Sequence, residues 1–257
     1  NIPVVTTLHG TDITLVGSNP SYKIAVEHSI NNSDSVTAVS ESLKNDTLSL
    51  FNINKPVKVI PNFVNLEKYH TKSSSKEIFS KKNKIITHVS NFRKVKRVID
   101  VINIFDGIQK IIPSKLMMIG DGPEKVNAEK LARKLGIKNK TVFFGNSNET
   151  NKILLFSDLF LLPSEIESFG LSALEAMAAS VPVVSSNTGG IPEVNIDNFS
   201  GLLSDIGDVK KMIENSLHIL SNEEIHNKFK TKARKRAEDF DIHKIVPLYE
   251  EVYKSLS

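Results

Sequence analysis

Residues 159–185 read Leu-Phe-Leu-Leu-Pro-Ser-Glu-Ile-Glu-Ser-Phe-Gly-Leu-Ser-Ala-Leu-Glu-Ala-Met-Ala-Ala-Ser-Val-Pro-Val-Val-Ser. The apolar run at 159–162 predicts a buried strand, residues 169–179 have the spacing of a helix, and residues 181–185 predict a second buried strand. Parallel strands need such a helical crossover, and strands buried on both faces are apolar without interruption. This stretch therefore predicts an open parallel sheet covered by helices on both faces.

The same alternation of strands and helices extends to both sides of this stretch. Further strands are predicted at residues 4–8, 35–39, 57–60, 85–89, 116–119, 142–144 and 202–203, and further helices at 22–30, 41–51, 98–111, 125–135, 150–157, 209–220, 222–240 and 242–256. Residues 71–84 are rich in Ser and Lys, which predicts a linker. Open parallel sheets bind ligands beyond the carboxyl ends of their strands. The candidate loops are therefore at residues 9–12, 62, 90–96, 120–123, 145, 164–170 and 186–193.

The composition is that of an ordinary globular protein and excludes several functional classes. Of the 257 residues, 40% are hydrophobic and 24% charged, which excludes collagen, coiled coils and wholesale disorder. The chain contains no cysteine, so disulfides, thiol nucleophiles and zinc–thiolate centres are excluded. A net charge of +4 without any Trp does not indicate a nucleic-acid partner. The absence of cysteine also fits a reducing cytosol, and we expect a cytoplasmic location. No apolar run reaches the roughly 18 residues of a membrane span.

The loop and helix start at residues 164–175 are the strongest candidate for a binding site. The free N–H groups of residues 169–171, together with the helix dipole, can hold an anion. Glu167 precedes the helix and Glu175 lies in its second turn. Two carboxylates beside an anion site suit a ligand with hydroxyl groups on both sides of a phosphate, as a nucleotide sugar has. On spacing alone, the alternative that these acids only complement the helix dipole stays open.

A second candidate is the basic loop that follows the strand at residues 85–89. This segment reads His88-Val89-Ser90-Asn91-Phe92-Arg93-Lys94-Val95-Lys96-Arg97. Arginine offers a bidentate fork to a phosphate and lysine a point charge, so the loop can face a pyrophosphate. The alternative is the basic start of a helix, although cations are unfavourable at a helix N-terminus.

The remaining polar motifs give weaker indications. His9 directly follows a strand, although an isolated histidine is more often structural. No histidines have metal-ligand spacing, and Asp239-Phe240-Asp241 lies at a helix end, so we expect no metal site. Gly120-Asp121-Gly122 lacks the third glycine of a dinucleotide fingerprint and predicts a turn. Residues 189–193, Gly-Gly-Ile-Pro-Glu, either bring the backbone close to a sugar or form a tight turn.

Taken together, these segments resemble the retaining glycosyltransferases of family 4. The resemblance rests on Glu167 and Glu175 within Ser-Glu-Ile-Glu-Ser-Phe-Gly-Leu-Ser-Ala-Leu-Glu-Ala-Met-Ala, followed by residues 181–184 and 189–193. It implies an α/β fold of the GT-B type, with two Rossmann-like, doubly wound parallel-sheet domains facing each other across a cleft. The implied divisions are residues 1–70, the C-terminal part of the N-terminal acceptor domain; 71–241, the nucleotide-sugar-binding domain; and 242–257, a helix packing back toward the N-terminal domain.

The resemblance narrows to the members of that family that act in bacillithiol biosynthesis. It is carried by residues 6–14, 35–40, 89–97 and 120–125. These enzymes move GlcNAc from UDP-GlcNAc to the hydroxyl of L-malate, with retention and without a metal or other cofactor. UDP-GlcNAc and L-malate are therefore the expected partners, and a homodimer stays open. Because the chain starts without Met inside a predicted strand, we expect its N-terminal domain to be truncated and the chain alone to bind UDP but be poorly active.

The matching positions imply roles for the candidate residues. Glu167 would contact the donor sugar near the reacting centre, and His9 would lie near the sugar and the acceptor. Lys96 would bind the pyrophosphate. Other members have Gly-Arg where this chain has Ser90-Asn91, so Arg93 is expected to supply the second phosphate contact. The implied donor-binding set is Ser90, Asn91, Gly145, Ser168, Phe169, Gly170, Leu171 and Glu175, with Glu175 on the ribose hydroxyls.

Three other functions remain open at this point. The chain could belong to a family 4 transferase with a lipid or polysaccharide acceptor. A GT-B-fold UDP-GlcNAc 2-epimerase is disfavoured by the pair of glutamates seven residues apart. A non-catalytic nucleotide-sugar-binding module is disfavoured by the joint presence of His9, Lys96 and Glu167.

Overall fold

A computed structural model of the chain describes residues 2–10, 13, 19–69 and 83–256. Thr11 and Asp12 of the first candidate loop lie outside the described residues. So does most of the predicted linker at 71–84, and with it the predicted domain boundary after residue 70. That boundary therefore stays a prediction.

Two parallel sheets follow one another along the chain. The first has the order β1-β2-β3, with β1 at Val5–Leu8, β2 at Ser35–Ala38 and β3 at Val57–Val59, and its helices are α1 (Pro20–Asn31) and α2 (Glu41–Leu50). The second has the order β6-β5-β4-β7-β8-β9, with strands Lys84–Val89, Ser114–Ile119, Thr141–Gly145, Leu159–Leu162, Val183–Ser186 and Gly201–Ser204 as β4 to β9. Its helices are α3 (Val98–Gln109), α4 (Lys125–Lys134), α5 (Thr150–Leu154), α6 (Leu171–Ala178), α7 (Ile191–Val194), α8 (Val209–Ser221) and α9 (Glu223–Ala237). The last helix, α10 (Ile242–Lys254), follows them in the chain.

The strand order of the second sheet places a crevice beyond β4 and β7. From β4 the chain adds β5 and β6 on one side, and then β7, β8 and β9 on the other. Loops leave such a reversal point in opposite directions, and a ligand site forms between them. The predicted parallel α/β sheet is confirmed, and its switch point lies at the two loops that carry the strongest sequence motifs.

The strand β8 starts later than the sequence predicts. Residue 181 was expected in the strand, but the Val181 N–H donates to the Ala176 carbonyl at 2.9 Å and so closes the end of α6. Ser180, with a φ of 61°, makes the turn that permits this bond. Such a six-to-one bond is a common helix ending, so Val181 belongs to the helix cap. Pro182 then separates the cap from the strand.

The first sheet and the second share one apolar cluster. Leu8 and Val36 of the first sheet belong to the same buried cluster as Phe160 and Leu162 of β7. On the far side of the first sheet, α10 returns to it, and the Tyr249 hydroxyl donates to the Ile60 carbonyl at 3.1 Å. Because this packing is apolar and continuous, the loops after β1, β4 and β7 are held close to one another.

A carboxylate of the second sheet's α7 caps the first helix turn of α2. The two Glu193 oxygens accept hydrogen bonds from the N–H groups of Glu41, at 2.9 Å, and Ser42, at 2.8 Å. Beside them, the Ser40 hydroxyl donates to the Ser168 carbonyl at 2.6 Å. The negative carboxylate at a helix N-terminus is also favoured by the helix dipole. Glu193 is therefore a link between the two sheets.

We expect Glu193→Ala to lower the free energy of unfolding by about 2 kcal/mol, because it removes the charged acceptor of two helix N–H groups. The measurement is chemical denaturation followed by circular dichroism. Glu41→Ala is the matched control, since the Glu41 side chain is exposed and pairs with Lys44 one turn away, while its N–H bond to Glu193 is kept. Equal losses in the two variants would contradict the capping role.

Candidate functional site

A cleft of about 580 Å³ lies at the carboxyl ends of β4, β5 and β6, beside the start of α6. It is lined by residues 89–91, Lys96, 119–120, 146–148, Thr150, Glu167, Leu171, Ser172 and Glu175. The lining therefore joins the basic loop and the two glutamates that the sequence singled out separately. Its position at the switch point of the sheet is where a doubly wound fold binds ligands.

An ion pair between Lys96 and Glu167 lies on the wall of this cleft. The Lys96 Nζ is 2.7 Å from the Glu167 Oε1, and the side chains are only 19% and 13% exposed. The Ser164 hydroxyl donates to the same carboxylate oxygen at 3.0 Å. The loops are also joined by their backbones, since the Glu165 N–H donates to the Val95 carbonyl at 2.8 Å. A cation and a carboxylate are thus held together on the wall of the cleft.

The glycine turn after β8 fixes the backbone of Glu167. The Gly190 N–H donates to the Glu167 carbonyl at 2.9 Å. A Cβ on Gly189 would overlap that carbonyl oxygen, and the φ of Gly189 is 54°, so glycine is required on both counts. Two interpretations of residues 189–193 were left open, a backbone approach to a sugar and a tight turn. Together with the Glu193 cap, this geometry favours the tight turn. The close backbone approach is to the protein's own loop at residues 164–170.

The start of α6 faces the cleft. The helix begins at Leu171 after Gly170, and among the described side chains none caps it. Leu171 and Ser172 both line the cleft. Their position in the first turn leaves their N–H groups without helical acceptors, so they can bind an anion. The neighbouring Phe169 is buried and packs edge-on against Phe240, with ring centroids 5.6 Å apart, which anchors this turn.

Glu175 also lines the cleft, beside the segment at residues 68–69 that leaves the first sheet. Burial raises the pKa of Glu175, and the nearby Lys68 ammonium partly opposes that shift. Burial and then the Glu175 charge raise the pKa of Tyr69, which keeps the phenol neutral. The Asn151 side-chain amide donates to the Lys68 carbonyl at 3.4 Å and holds this segment against α5. Glu175 is thus a partly desolvated carboxylate, suited to accept hydrogen bonds from hydroxyl groups.

His88 lies directly beneath the basic loop. It is fully buried, its Nδ1 is 2.9 Å from the Leu161 carbonyl oxygen, and its Nε2 is 2.7 Å from the Ser90 Oγ. Burial, with help from the Lys96 charge and against the Leu161 hydrogen bond, lowers the pKa of His88 to about 4. The imidazole is therefore neutral at ordinary pH.

His9 lies on the far side of the Glu167 loop. It is exposed at the end of β1, and it is absent from the described residues that line the cleft. The next residue, Gly10, packs so closely on Ser168 that a Cβ would overlap the Ser168 hydroxyl. A second cavity of about 310 Å³ lies between α2 and this loop, and Glu167 lines both cavities. Glu167 therefore separates the large cleft from the first sheet.

The structure brings together only part of the predicted site. Ser90, Asn91, Lys96, Glu167, Leu171 and Glu175 line the cleft. Among the described residues, its lining does not include Arg93, which is exposed, or Gly145, Ser168, Phe169 and Gly170. The roles assigned to all of these residues stay predictions.

Sequence reasoning missed the polar residues that follow β6. Asn146, Ser147, Asn148 and Thr150 line the cleft, and so does Ser172 in the first turn of α6. The rule that ligand sites follow parallel strands pointed to this loop, but only Gly145 was selected from it. The run Asn146-Ser147-Asn148 was a usable signal, because short polar side chains in a loop after a strand can donate to a ligand.

In the part of the chain that the structure describes, no group of three or more His, Asp or Glu side chains could hold a metal ion. Over the same residues, no helix is both long and apolar enough to cross a bilayer.

Comparison with known proteins decides the family. The model of the "Glycosyl transferases group 1" matches residues 70–236, and that of "Glycosyltransferase Family 4" matches residues 1–68. The chain belongs to the glycosyl transferases of group 1. This glycosyltransferase is 42% identical, over 98% of its length, to the N-acetyl-alpha-D-glucosaminyl L-malate synthase of Bacillus anthracis, and it spans 68% of that relative. The prediction of a hexosyltransferase is confirmed at the level of the family.

Solved structures confirm the fold of this glycosyltransferase as GT-B. HepE of Anabaena in complex with UDP-glucose has a TM-score of 0.87 at 20% sequence identity. The superposition covers 98% of this chain and 72% of the HepE chain. Sucrose-phosphate synthase from Thermosynechococcus elongatus has a TM-score of 0.86 at 20% sequence identity, and the superposition covers 98% of this chain and 67% of the synthase. At these identities the likeness concerns the fold.

Proposed function

We propose that this glycosyltransferase moves GlcNAc from UDP-GlcNAc to the hydroxyl of L-malate, with retention at the sugar. The observation that carries the proposal is the cleft in which Lys96, Glu167, the start of α6 and Glu175 meet. The relative of 42% identity that bears the name of this activity supports the choice of donor and acceptor.

The two glutamates set the direction of the donor. The diphosphate would lie between the Lys96 ammonium and the uncapped N–H groups of Leu171 and Ser172. The ribose hydroxyls would donate to Glu175, in the part of the cleft near Tyr69. The hexose then points to Glu167, which borders the second cavity and the loop that follows β1. His9 lies on that side and would face the acceptor.

The chemistry needs stabilisation of the leaving UDP. The bond from the anomeric carbon to the β-phosphate oxygen breaks with its electron pair, and a bond forms from that carbon to the malate hydroxyl oxygen. The hydroxyl proton passes to the departing phosphate on the same face, as is usual for retaining members of this family. Fixed positive charge aimed at the developing anion lowers this barrier. Lys96 and the helix start supply that charge here, so the proposal includes metal independence.

The test is a product assay on the full-length protein with UDP-GlcNAc, L-malate and EDTA. We expect a product with the mass of GlcNAc-malate and one equivalent of UDP. If UDP is released and GlcNAc is transferred only to an added lipid or polysaccharide, the acceptor is that molecule and not L-malate. Formation of UDP-ManNAc would indicate an epimerase, and UDP-GlcNAc binding without turnover would indicate a binding module. Restoration of activity only by added Mg²⁺ would reject metal independence.

We expect Glu175→Gln to weaken UDP binding about tenfold or more at neutral pH, because hydrogen bonds to a charged acceptor contribute about 1.5–3 kcal/mol. The raised pKa of Glu175 fixes the sign of the pH dependence. As pH falls through this pKa, wild-type Glu175 becomes neutral, so the affinity ratio between wild type and variant falls toward one. That fall should begin at a higher pH than for an exposed glutamate. Calorimetry at several pH values measures the ratio.

Glu67→Gln is the control for that measurement, since Glu67 is exposed on the same connecting segment and lies outside the cleft lining. It should bind UDP as the wild type does at every pH. If the ratio of UDP affinities between the wild type and Glu175→Gln stays constant with pH, the Glu175 carboxylate does not bind the ribose hydroxyls as proposed.

Two further expectations belong to this proposal. A cytoplasmic location and a homodimer stay predictions.

A further inference from the structure

The segment that carries Glu167 is held at two consecutive carbonyl groups, one from each sheet. The Glu167 carbonyl accepts a hydrogen bond at 2.9 Å from the Gly190 N–H, in the turn after β8 of the second sheet. The next carbonyl, that of Ser168, accepts at 2.6 Å from the hydroxyl of Ser40, which follows β2 of the first sheet. The backbone from which the Glu167 side chain extends is therefore fixed by both sheets.

The Ser40 hydroxyl group makes two hydrogen bonds. Its Oγ accepts from the Leu43 N–H at 3.0 Å, which makes Ser40 the N-cap of α2. The Ser168 carbonyl oxygen can only accept, so the single hydroxyl proton of Ser40 is donated to it. Ser40 is only 1% exposed, so this bond is shielded from competing water. One side chain thus joins the start of α2 to the Glu167 loop.

The neighbouring strand of the first sheet brings a second contact to Ser168. Leu8 of β1 is paired with Ala38 of β2. Gly10 and Ser40 each follow this pair by two residues, so they lie at the same edge of the sheet. A Cβ on Gly10 would overlap the Ser168 hydroxyl, which shows how closely the two loops pack. Ser168 is therefore seated at the carboxyl edge of the first sheet.

The Glu193 cap completes this set of contacts. Its carboxylate accepts from the N–H groups of Glu41 and Ser42, which directly follow Ser40. Glu193 also lies three residues after Gly190, which holds the Glu167 carbonyl. The segments at residues 40–42, 167–168 and 190–193 are thus each bonded to the other two. A displacement of the start of α2 would disturb both supports of the Glu167 backbone.

We infer that Ser40 is a positioning residue for Glu167, through which the transfer step, but not the binding of UDP, depends on the first sheet. The inference rests on the proposed function, because that function places Glu167 beside the reacting sugar. The contacts proposed for UDP come from residues 96 and 171–175, which all belong to the second sheet's loops and helices. Loss of the Ser40 bond should therefore reduce kcat and leave UDP affinity unchanged.

Ser40→Gly tests this inference in the full-length protein with UDP-GlcNAc and L-malate. Glycine is itself a favoured N-cap residue, so α2 stays capped while the bond to Ser168 is lost. We expect kcat to fall about tenfold or more, because a small misplacement of a reacting group can cost about 10²-fold. UDP affinity, measured by calorimetry, should not change. A wild-type kcat, or equal losses of kcat and UDP affinity, overturns the inference.

Ser40→Thr is the conservative variant, because threonine keeps a hydroxyl group that can cap α2 and donate to Ser168. It should recover most of the kcat that Ser40→Gly loses. A merely structural role would instead follow the free energy of unfolding. If Ser40→Thr is as stable as the wild type but as slow as Ser40→Gly, the inference is wrong.

A double variant shows whether Ser40 acts through Glu167. Residues that act as a unit are strongly non-additive, so Ser40→Gly/Glu167→Gln should be little slower than Glu167→Gln alone. If Ser40→Gly lowers kcat by the same factor in both backgrounds, Ser40 acts on another group and the inference fails.

Amide hydrogen exchange tests the contact without using the reaction. The Gly190 N–H donates to the Glu167 carbonyl, so it should exchange faster in Ser40→Gly when that loop loosens. The Val181 N–H, which closes the far end of α6, should keep its rate. An unchanged rate at Gly190 would show that Ser40 does not hold the Glu167 loop.

Asn19→Gly is the matched control, because Asn19 is the N-cap of α1 beside the same sheet and accepts from the Ser21 N–H. It is exposed, and it should keep the wild-type kcat, UDP affinity and Gly190 exchange rate. Failure of the wild-type protein to form GlcNAc-malate would instead reject the proposed function. The exchange rate at Gly190 would still decide whether Ser40 holds the loop.

Discussion

Replacing Lys96 with alanine is expected to lower kcat of the full-length enzyme about 10²–10³-fold, the usual cost of removing one preorganised charge from a transition state. The leaving UDP gains negative charge as the sugar–phosphate bond breaks, and the Lys96 ammonium is the cleft-lining cation beside Glu167. Folding should be affected far less. Water in the cleft can solvate the Glu167 carboxylate, which also keeps the Ser164 hydroxyl as a donor.

Lys94→Ala is the control for this result. Lys94 lies on the same short helical turn, but it is exposed and outside the cleft lining. Steady-state kinetics and thermal unfolding of both variants separate catalysis from folding. A Lys96→Ala enzyme with unchanged kcat would show that the diphosphate is stabilised elsewhere, with the exposed Arg93 as the next residue to replace.

Glu167→Gln is expected to lower kcat by a similar factor of about 10² or more, because it removes a charge at the reacting end of the sugar while keeping the side chain's size. The amide can still accept from Ser164, so the loop should keep its shape. A neutral partner also leaves the Lys96 ammonium without its 2.7 Å carboxylate. The same kinetic and unfolding measurements apply.

The double variant shows whether Lys96 and Glu167 act together. Residues that act as a unit are strongly non-additive, so Lys96→Ala/Glu167→Gln should be little worse than the poorer single variant. Glu165→Gln controls for a charge change in the same loop, because Glu165 is exposed and faces Arg97 at 4.0 Å. Fully additive losses would mean that the two residues contribute to separate steps.

Local patterns were enough to predict most of the fold. Strands such as Leu159–Leu162 are uninterrupted apolar runs, and α6 follows its loop with helical spacing, so both are visible in a short window. The candidate site was predicted for the same reason. Parallel strands bring their carboxyl ends to one edge, which places the loops after β4 and β7 together without any knowledge of side chains.

The pairings between distant residues could not be predicted from those patterns. Glu193 caps a helix about 150 residues earlier in the chain, and nothing in the turn at 189–193 indicates that partner. The ion pair of Lys96 with Glu167 also depends on how two loops pack. The role of Arg93 stays a prediction, since it is exposed and lies outside the cleft lining.

A crystal structure of the chain with UDP tests the central claim most directly. The account predicts a diphosphate within hydrogen-bond distance of the Lys96 Nζ and of the N–H groups of Leu171 or Ser172. It also predicts ribose hydroxyls on the Glu175 carboxylate. UDP bound in another cavity, such as the groove along α9 near Arg234, with the 580 Å³ cleft empty, would contradict it.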